Sequence, residues 1–235
     1  MDFNTAGTGT NPQGQWSYAH ANASGEYALQ LGYGTLTGAS PLIIEGDYCW
    51  YNSPQASYGT PVSGGSTYFP LVGAFWMHPG NPLITTDILG MAIYTVPAKG
   101  LYTMFAEVAR GHYTYASGPS DTTGGDGVLI QFWHNGAPIG DTFWIAPYFV
   151  SYHLYNLTQT VNALAGDTLA FSVHPNGTYQ SDTTFIFPLI TGSTDSGPIL
   201  GAMNSDTGAE LTVEIQDTVS TKVYKYIILI RKFFF

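Results

Sequence analysis

The sequence predicts an all-β protein: an antiparallel β-sandwich followed by a C-terminal β extension. Three observations carry this. Short runs rich in Val, Ile, Thr, Tyr and Phe are punctuated by Gly, Pro, Asn and Asp at about the 8–12-residue spacing of sandwiches and barrels. Only 9% of residues are charged, against 28 Gly, 14 Pro, 17 Tyr and 13 Phe in 235 residues, and few stretches hold the Ala/Glu/Lys/Leu mixture of a surface helix. From Tyr152 to Ile190 no segment sustains a helical period of apolar residues.

Residues 1–15 are Gly-, Thr-, Asn- and Pro-rich and read as an N-terminal arm. "QWSYAHA" and "EYALQLGYG" are the first candidate strands, and "LIIEGDYCWY" is a third. Residues 34–41 and 52–69 read as turn-rich loops. "FPLVGAFWMHPGNP" is a buried run stopped by His78-Pro79-Gly80. "MAIYTVPAKGLYTMFAEVARG" predicts a strand, a turn at Pro97-Ala98-Lys99-Gly100, and a second strand. Residues 114–127 form a Ser/Gly/Thr/Asp loop. Val128 to His134 is strand-like and meets Asn135-Gly136, the strongest short hairpin signal, because a type I′ turn needs positive φ at both central residues. The return strand begins near Pro138. Ala165-Gly166-Asp167 and Pro175-Asn176-Gly177 are further turns, and Thr183 to Ile190 a further strand. The sandwich is thus expected over 16–191, a linker over 192–207, and C-terminal strands or an assembly arm over 208–235, where "ELTVEIQDTV" alternates apolar and polar residues strictly.

Charge narrows the partners. Sixteen acids oppose six bases, for a net charge of −10. All the acids lie at or before Asp217, whereas Lys222, Lys225, Arg231 and Lys232 sit in the last 14 residues. An acidic body argues against a nucleic-acid partner, whose phosphates need Lys and Arg. The tail either closes the chain's own sheet or adds strands to a neighbouring acidic subunit; Lys222, Lys225, Arg231 and Lys232 are the candidate assembly residues. "VYKYIILIRK" is too short and too charged to span a bilayer. The polar start shows no signal-peptide pattern, so the chain is expected to be used without that export route or the signal lies outside this sequence.

Several pieces form an ordered set over residues 2–190: "DFNTAGTGTNPQGQWSYAH", "FWMHPG", "YTVPAKGLYTMFAEVARG", "GDGVLIQFWHNG", "LAGDTLAFSVHPNG" and "SDTTFIFPLI". This set resembles a diffuse group of bacterial secreted or surface jelly-roll modules akin to carbohydrate-binding sandwiches. The resemblance implies an antiparallel jelly roll without catalytic residues. The chain departs from that group in lacking a visible signal and anchor and in its basic, apolar tail. A phage or virus structural protein would need neither signal nor anchor.

The chemistry-bearing residues are sparse. Acids sit beside turn glycines (Gly46-Asp47, Gly125-Asp126, Gly140-Asp141, Gly166-Asp167), where Asp bonds the backbone of its own turn. The paired carboxylates of a glycosidase and the ligand spacing of a zinc site have no counterpart among the scattered histidines 20, 78, 112, 134, 153 and 174. No enzymatic activity is therefore expected, and no catalytic residue is named. Cys49 is the sole cysteine, so no internal disulfide forms; its strand context predicts a buried inert thiol. No cofactor is expected. Structural calcium is the one ion the loop "PSDTTGGDG" suits, through Asp121 and Asp126. Aromatic candidates for a glycan are Trp50, Tyr51, Tyr113, Tyr115 and Tyr148, while Trp16, Trp76 and Trp133 are expected in the core.

The expected function is a non-catalytic structural or surface-interaction protein at an extracellular or virion surface, partnered by neighbouring subunits in a homo-oligomer or larger assembly. A virion decoration, cement or fibre component is favoured. The alternative is a carbohydrate-binding or adhesion module of a bacterial surface protein.

Overall fold

A computed structural model describes residues 11–12, 14–30, 32–37, 48–51, 62–63, 70–73, 76–83, 85–110, 126–146, 154–177, 182, 184–194, 197–202, 210–216 and 223–229. The described elements are strands. In chain order the first nine are β1 (Trp16–Asn22), β2 (Tyr27–Leu29), β3 (Gly32–Thr37), β4 (Tyr48–Tyr51), β5 (Val62–Ser63), β6 (Leu71–Gly73), β7 (Trp76–His78), β8 (Asp87–Thr95) and β9 (Gly100–Arg110). There follow β10 (Val128–His134), β11 (Ala137–Ile145), β12 (Leu154–Ala163), β13 (Thr168–Pro175), β14 (Thr184–Thr194), β15 (Gly197–Ala202), β16 (Glu210–Gln216) and β17 (Val223–Leu229).

Two sheets pack face to face. One runs β11-β10-β13-β8-β1-β2; the other runs β12-β9-β14-β7-β6-β4-β3-β5, with β15 also on β14. Pairing is antiparallel except for the short β3–β5 pair. Strand alternation builds the core between them. Even-numbered Tyr102, Met104, Ala106 and Val108 of β9 are buried, and their odd-numbered neighbours are not. They meet Val128, Ile130 and Phe132 of β10 and Leu169, Phe171 and Val173 of β13 in one apolar cluster. Phe132 lies edge-on to both Phe171 (5.4 Å between centroids) and Phe143 (5.9 Å), and Trp16 edge-on to Tyr94 (5.3 Å), the arrangement ring quadrupoles favour.

A second apolar layer lies on the opposite face of the six-stranded sheet. Leu89, Met91 and Ile93 of β8 project there with Ala19, Ala21, Ala170 and Trp133. The Trp133 indole N–H donates to Ser172 Oγ at 2.7 Å. The β1–β2 turn closes onto this layer: Gly25 (φ +82°) sits against the Trp133 ring and the Gly136 carbonyl.

Turn chemistry follows the sequence. Asn135 and Gly136 take φ of 52° and 76°, so the β10–β11 hairpin turns as type I′. Tyr102 Oη donates to the Ala98 carbonyl at 2.6 Å, fastening the turn before β9. The Asn11 side chain bonds the Tyr18 N–H (3.0 Å) and the carbonyls of Tyr18 and Gln30. Part of the predicted N-terminal arm is thus tied to β1; residues 1–10 lie outside the described residues.

The linker expected over 192–207 needs correction. β14 continues through Thr194, and β15 within that stretch returns to pair with it, Thr194 opposite Gly197 and Leu189 opposite Ala202. Only Ile199 and Leu200 of "GPILGA" supply bulk, too little apolar pattern to mark a strand amid Gly, Ser and Pro. β16 and β17 pair with each other as a separate two-stranded sheet, with Glu214 opposite Lys225 and Val213 opposite Tyr226.

Candidate functional site

The stretch 124–141 brings Asp126, His134 and Asp141 close in sequence, and the fold separates them. Asp126 precedes β10 and His134 ends it, so they occupy opposite ends of a seven-residue strand. Asp141 is exposed on β11, near the register shift between Ile130 and Phe132.

At the His134 end, two turns are clasped together. Asp167 Oδ2 lies 2.9 Å from His134 Nε2 and accepts the Leu164 N–H at 2.8 Å; its Oδ1 accepts the Asn135 side-chain amide at 2.9 Å. Asn135 Oδ1 in turn accepts the Thr168 N–H at 2.8 Å, while the Asn135 N–H donates to the Thr168 carbonyl at 2.9 Å. The Leu164 N–H, then Asn135 and His134, hold the Asp167 carboxyl at about 2, below its ordinary 3.8. A His–Asp pair could orient a nucleophile's base, but here the carboxylate is filled by turn donors and the Asn135 amide is committed to both turns. The pair joins the β10–β11 hairpin to the β12–β13 turn.

This clasp has a pH signature. A folded pKa below the unfolded one gives stability that is complete above the unfolded value and is lost as pH falls through the folded one. The stability gap between wild type and Asp167→Asn should therefore be widest above about pH 4 and shrink toward about pH 2. Urea unfolding across that range measures it; a gap independent of pH would contradict the clasp. A second, higher window comes from His20 and His174. Burial lowers both imidazoles, with Asp87 at 3.5 Å partly offsetting the effect at His20. Their contribution falls as pH drops below about 6.5, where the unfolded chain takes up protons.

The opposite end presents surface chemistry. The Asp126 carbonyl accepts the Asn176 side-chain amide at 2.9 Å and, more weakly, the Trp144 indole N–H at 3.4 Å. The Asp126 carboxylate rests over Gly177, which has no side chain to obstruct it. Trp144 is 55% exposed on the edge strand β11. An aromatic face flanked by an acid and an amide can stack on an apolar sugar face and bond its hydroxyls.

Trp144 was not among the aromatic candidates. Its signal was present: it alternates with Phe143 and Ile145, which face the core cluster, so it must face out. Trp50, which was a candidate, is a correction: it is 1% exposed and stacks on Tyr18 with centroids 5.7 Å apart. Its strand β4 lies inside the larger sheet between β6 and β3, where alternation puts one face in the core. Tyr51 shares that strand. Tyr113, Tyr115, Tyr148 and Asp121 lie outside the described residues, on segments that join β9 to β10 and β11 to β12. Asp126 is described, and no group of three or more His, Cys, Asp or Glu suited to a metal ion occurs among the described residues. Lys225 is on β17 opposite Glu214; Lys222, Arg231 and Lys232 lie outside the described residues. Cys49 is buried, as its strand context predicts.

No family model matches the chain, and no curated protein matches it. The sandwich and its two ends carry the functional argument. Among the described residues no helix is long and apolar enough to cross a membrane.

Proposed function

We propose that this protein is a non-catalytic structural module of an extracellular assembly, most simply a virion decoration, cement or fibre component, with a jelly-roll body and a C-terminal docking hairpin. The observation that carries the reading is the β16–β17 pair. It bonds only to itself among the described strands, and a two-stranded hairpin alone is marginal in water. One register face is apolar throughout, with Leu211, Val213 and Ile215 opposite Ile228, Tyr226 and Tyr224, so it gains stability by docking. The excess of bases after residue 221 suits an acidic face, the chain's own or a neighbour's, and in an assembly the neighbour's body supplies one. The jelly-roll form is supported by one long ribbon: β8 pairs β13 in one sheet while β9 pairs β12 in the other, so the two-strand ribbon passes from sheet to sheet. The non-catalytic reading is supported by the structural bonds that occupy His134 and Asp167.

Removing residues 208–235 tests it. The shortened chain should melt like the full chain but fail to form the larger assembly seen by analytical ultracentrifugation. Normal assembly without the tail would sink the docking role.

A second reading, a carbohydrate-binding or adhesion module, is favoured by the exposed Trp144 beside Asp126 and Asn176. Under it, a glycan array shows saturable binding that Trp144→Ala weakens at least about tenfold, the loss of one stacked ring and its ordering. Binding unchanged by Trp144→Ala would remove this site from consideration.

A further inference from the structure

The long outer edges of the two sheets differ in kind. β11 ends the six-stranded sheet and is blunted in several ways: it carries Pro138, an exposed Asp141, Gly140 at φ +67°, and a register shift opposite β10. Such devices keep an edge from pairing further. The edge strands β2 and β5 are only three and two residues long. β12 has none of these defences. It ends the nine-stranded sheet with ten residues paired to β9 in unbroken register, Leu154 opposite Ala109 through Ala163 opposite Gly100. It contains no charge, no Pro and no Gly. Among the described residues β9 is the only strand it pairs with, the Gln159 side chain resting against Gly140 of β11, so alternate N–H and C=O groups point along the sheet away from β9.

The sequence of this edge is close to a palindrome. Outward from Gln159, "LYNLTQTVNAL" places Thr158 against Thr160, Leu157 against Val161, Asn156 against Asn162, Tyr155 against Ala163 and Leu154 against Leu164. Four of these five matches unite residues of one chemical type. Directly opposed residues of an antiparallel pair share a face, and a two-fold axis makes one strand its own partner with residue i against j and j against i. About an axis at Gln159, the outer face would then pair threonine with threonine and asparagine with asparagine. At each end it would pair Leu154 with Leu164, which are 57% and 58% exposed in the single chain.

We propose that β12 is a homodimer interface: a second copy of this chain adds its own β12 antiparallel, on a two-fold axis at Gln159, joining the two larger sheets into one. The Thr160 carbonyl, which accepts the Gln159 side-chain amide at 3.3 Å, exchanges that local bond for a strand bond across the axis. A strand of another protein would gain the backbone bonds, but only a second copy gains the matched side-chain pairs. The proposal deepens the assembly reading by naming one partner and one register, and it rests on β12 alone.

The register gives the test, in the full chain. Asn156→Cys and Asn162→Cys each leave the cysteine opposite an asparagine, so neither variant cross-links with itself. Mixed and oxidised, they form an interchain disulfide, because opposed residues lie about 4.5–5.5 Å apart at Cα, within disulfide range. Buried Cys49 does not compete. Independently, Thr158→Lys with Thr160→Lys weakens self-association at least about tenfold by opposing like charges, and mixing with the Thr158→Glu, Thr160→Glu chain restores it. That restoration also shows that both variants fold. No cross-link in the mixture, or self-association indifferent to the lysines, overturns the proposal. Docking of the C-terminal hairpin cannot produce the Asn156–Asn162 cross-link, so failure of either idea leaves the other standing.

Discussion

Phe171→Ala should cost about 3–5 kcal/mol of unfolding free energy, the usual range for removing a buried phenylalanine. Phe171 is fully buried at the middle of β13. β10 and β8 flank it, Phe132 stands edge-on at 5.4 Å, and Trp16 is tilted against it at 6.3 Å. These neighbours come from central strands, which cannot close in on a cavity without shifting paired backbone. The cost should therefore sit high in the range. Against a domain stability of about 5–15 kcal/mol, the loss leaves a marginal fold. Urea unfolding at neutral pH measures it. A cost below about 1 kcal/mol would mean that the β13 register, and with it the packing of the two sheets, is wrong.

Gly25→Ala is the second large effect and probes the outer layer. The added methyl would run into the Trp133 ring and lie 2.8 Å from the Gly136 carbonyl oxygen, at a φ of +82° that L residues avoid. The backbone oxygen cannot rotate away, so strain adds to overpacking, for about 1–3 kcal/mol or more. Trp133→Ala costs stability of its own by emptying that layer. In the double variant the two losses should fall short of their sum, because the ring that clashes is gone. Strict additivity would show that the β1–β2 turn does not rest on Trp133.

The strands between 87 and 190 were legible because local signals agreed there. Asn135-Gly136, Gly166-Asp167 and Asn176-Gly177 mark turns whose glycines indeed take positive φ, and the runs between them alternate. Two things were not legible. Sheet order depends on pairings such as β8 with β13 and β9 with β12, between residues far apart in sequence, and no local pattern encodes them. β15 reads as linker because six residues with two bulky side chains carry almost no periodic signal.

The site shows the same division. Turn chemistry correctly explained Asp167 next to Gly166, but the partner that fills its carboxylate, Asn135, lies 32 residues away. Trp50 counts among the glycan candidates because it ends a candidate strand bordering turn-rich sequence, yet β4 has sheet neighbours on both sides. Trp144 is legible only through its parity with Phe143 and Ile145, which places it outside. Asp126 and His134, eight residues apart in the chain, are divided by the length of β10. A cluster in sequence becomes a cluster in space only when the strand between its members turns.

Amide hydrogen exchange along β16 and β17 in the full chain, followed as protein concentration rises, tests the central claim most directly. A hairpin that docks on a neighbour gains protection at residues 210–216 and 223–229 as assembly proceeds, while the amides of β10 and β13 stay protected throughout. Exchange at unprotected rates at every concentration, or protection already complete in the dilute single chain, would contradict an assembly role for the C-terminal strands.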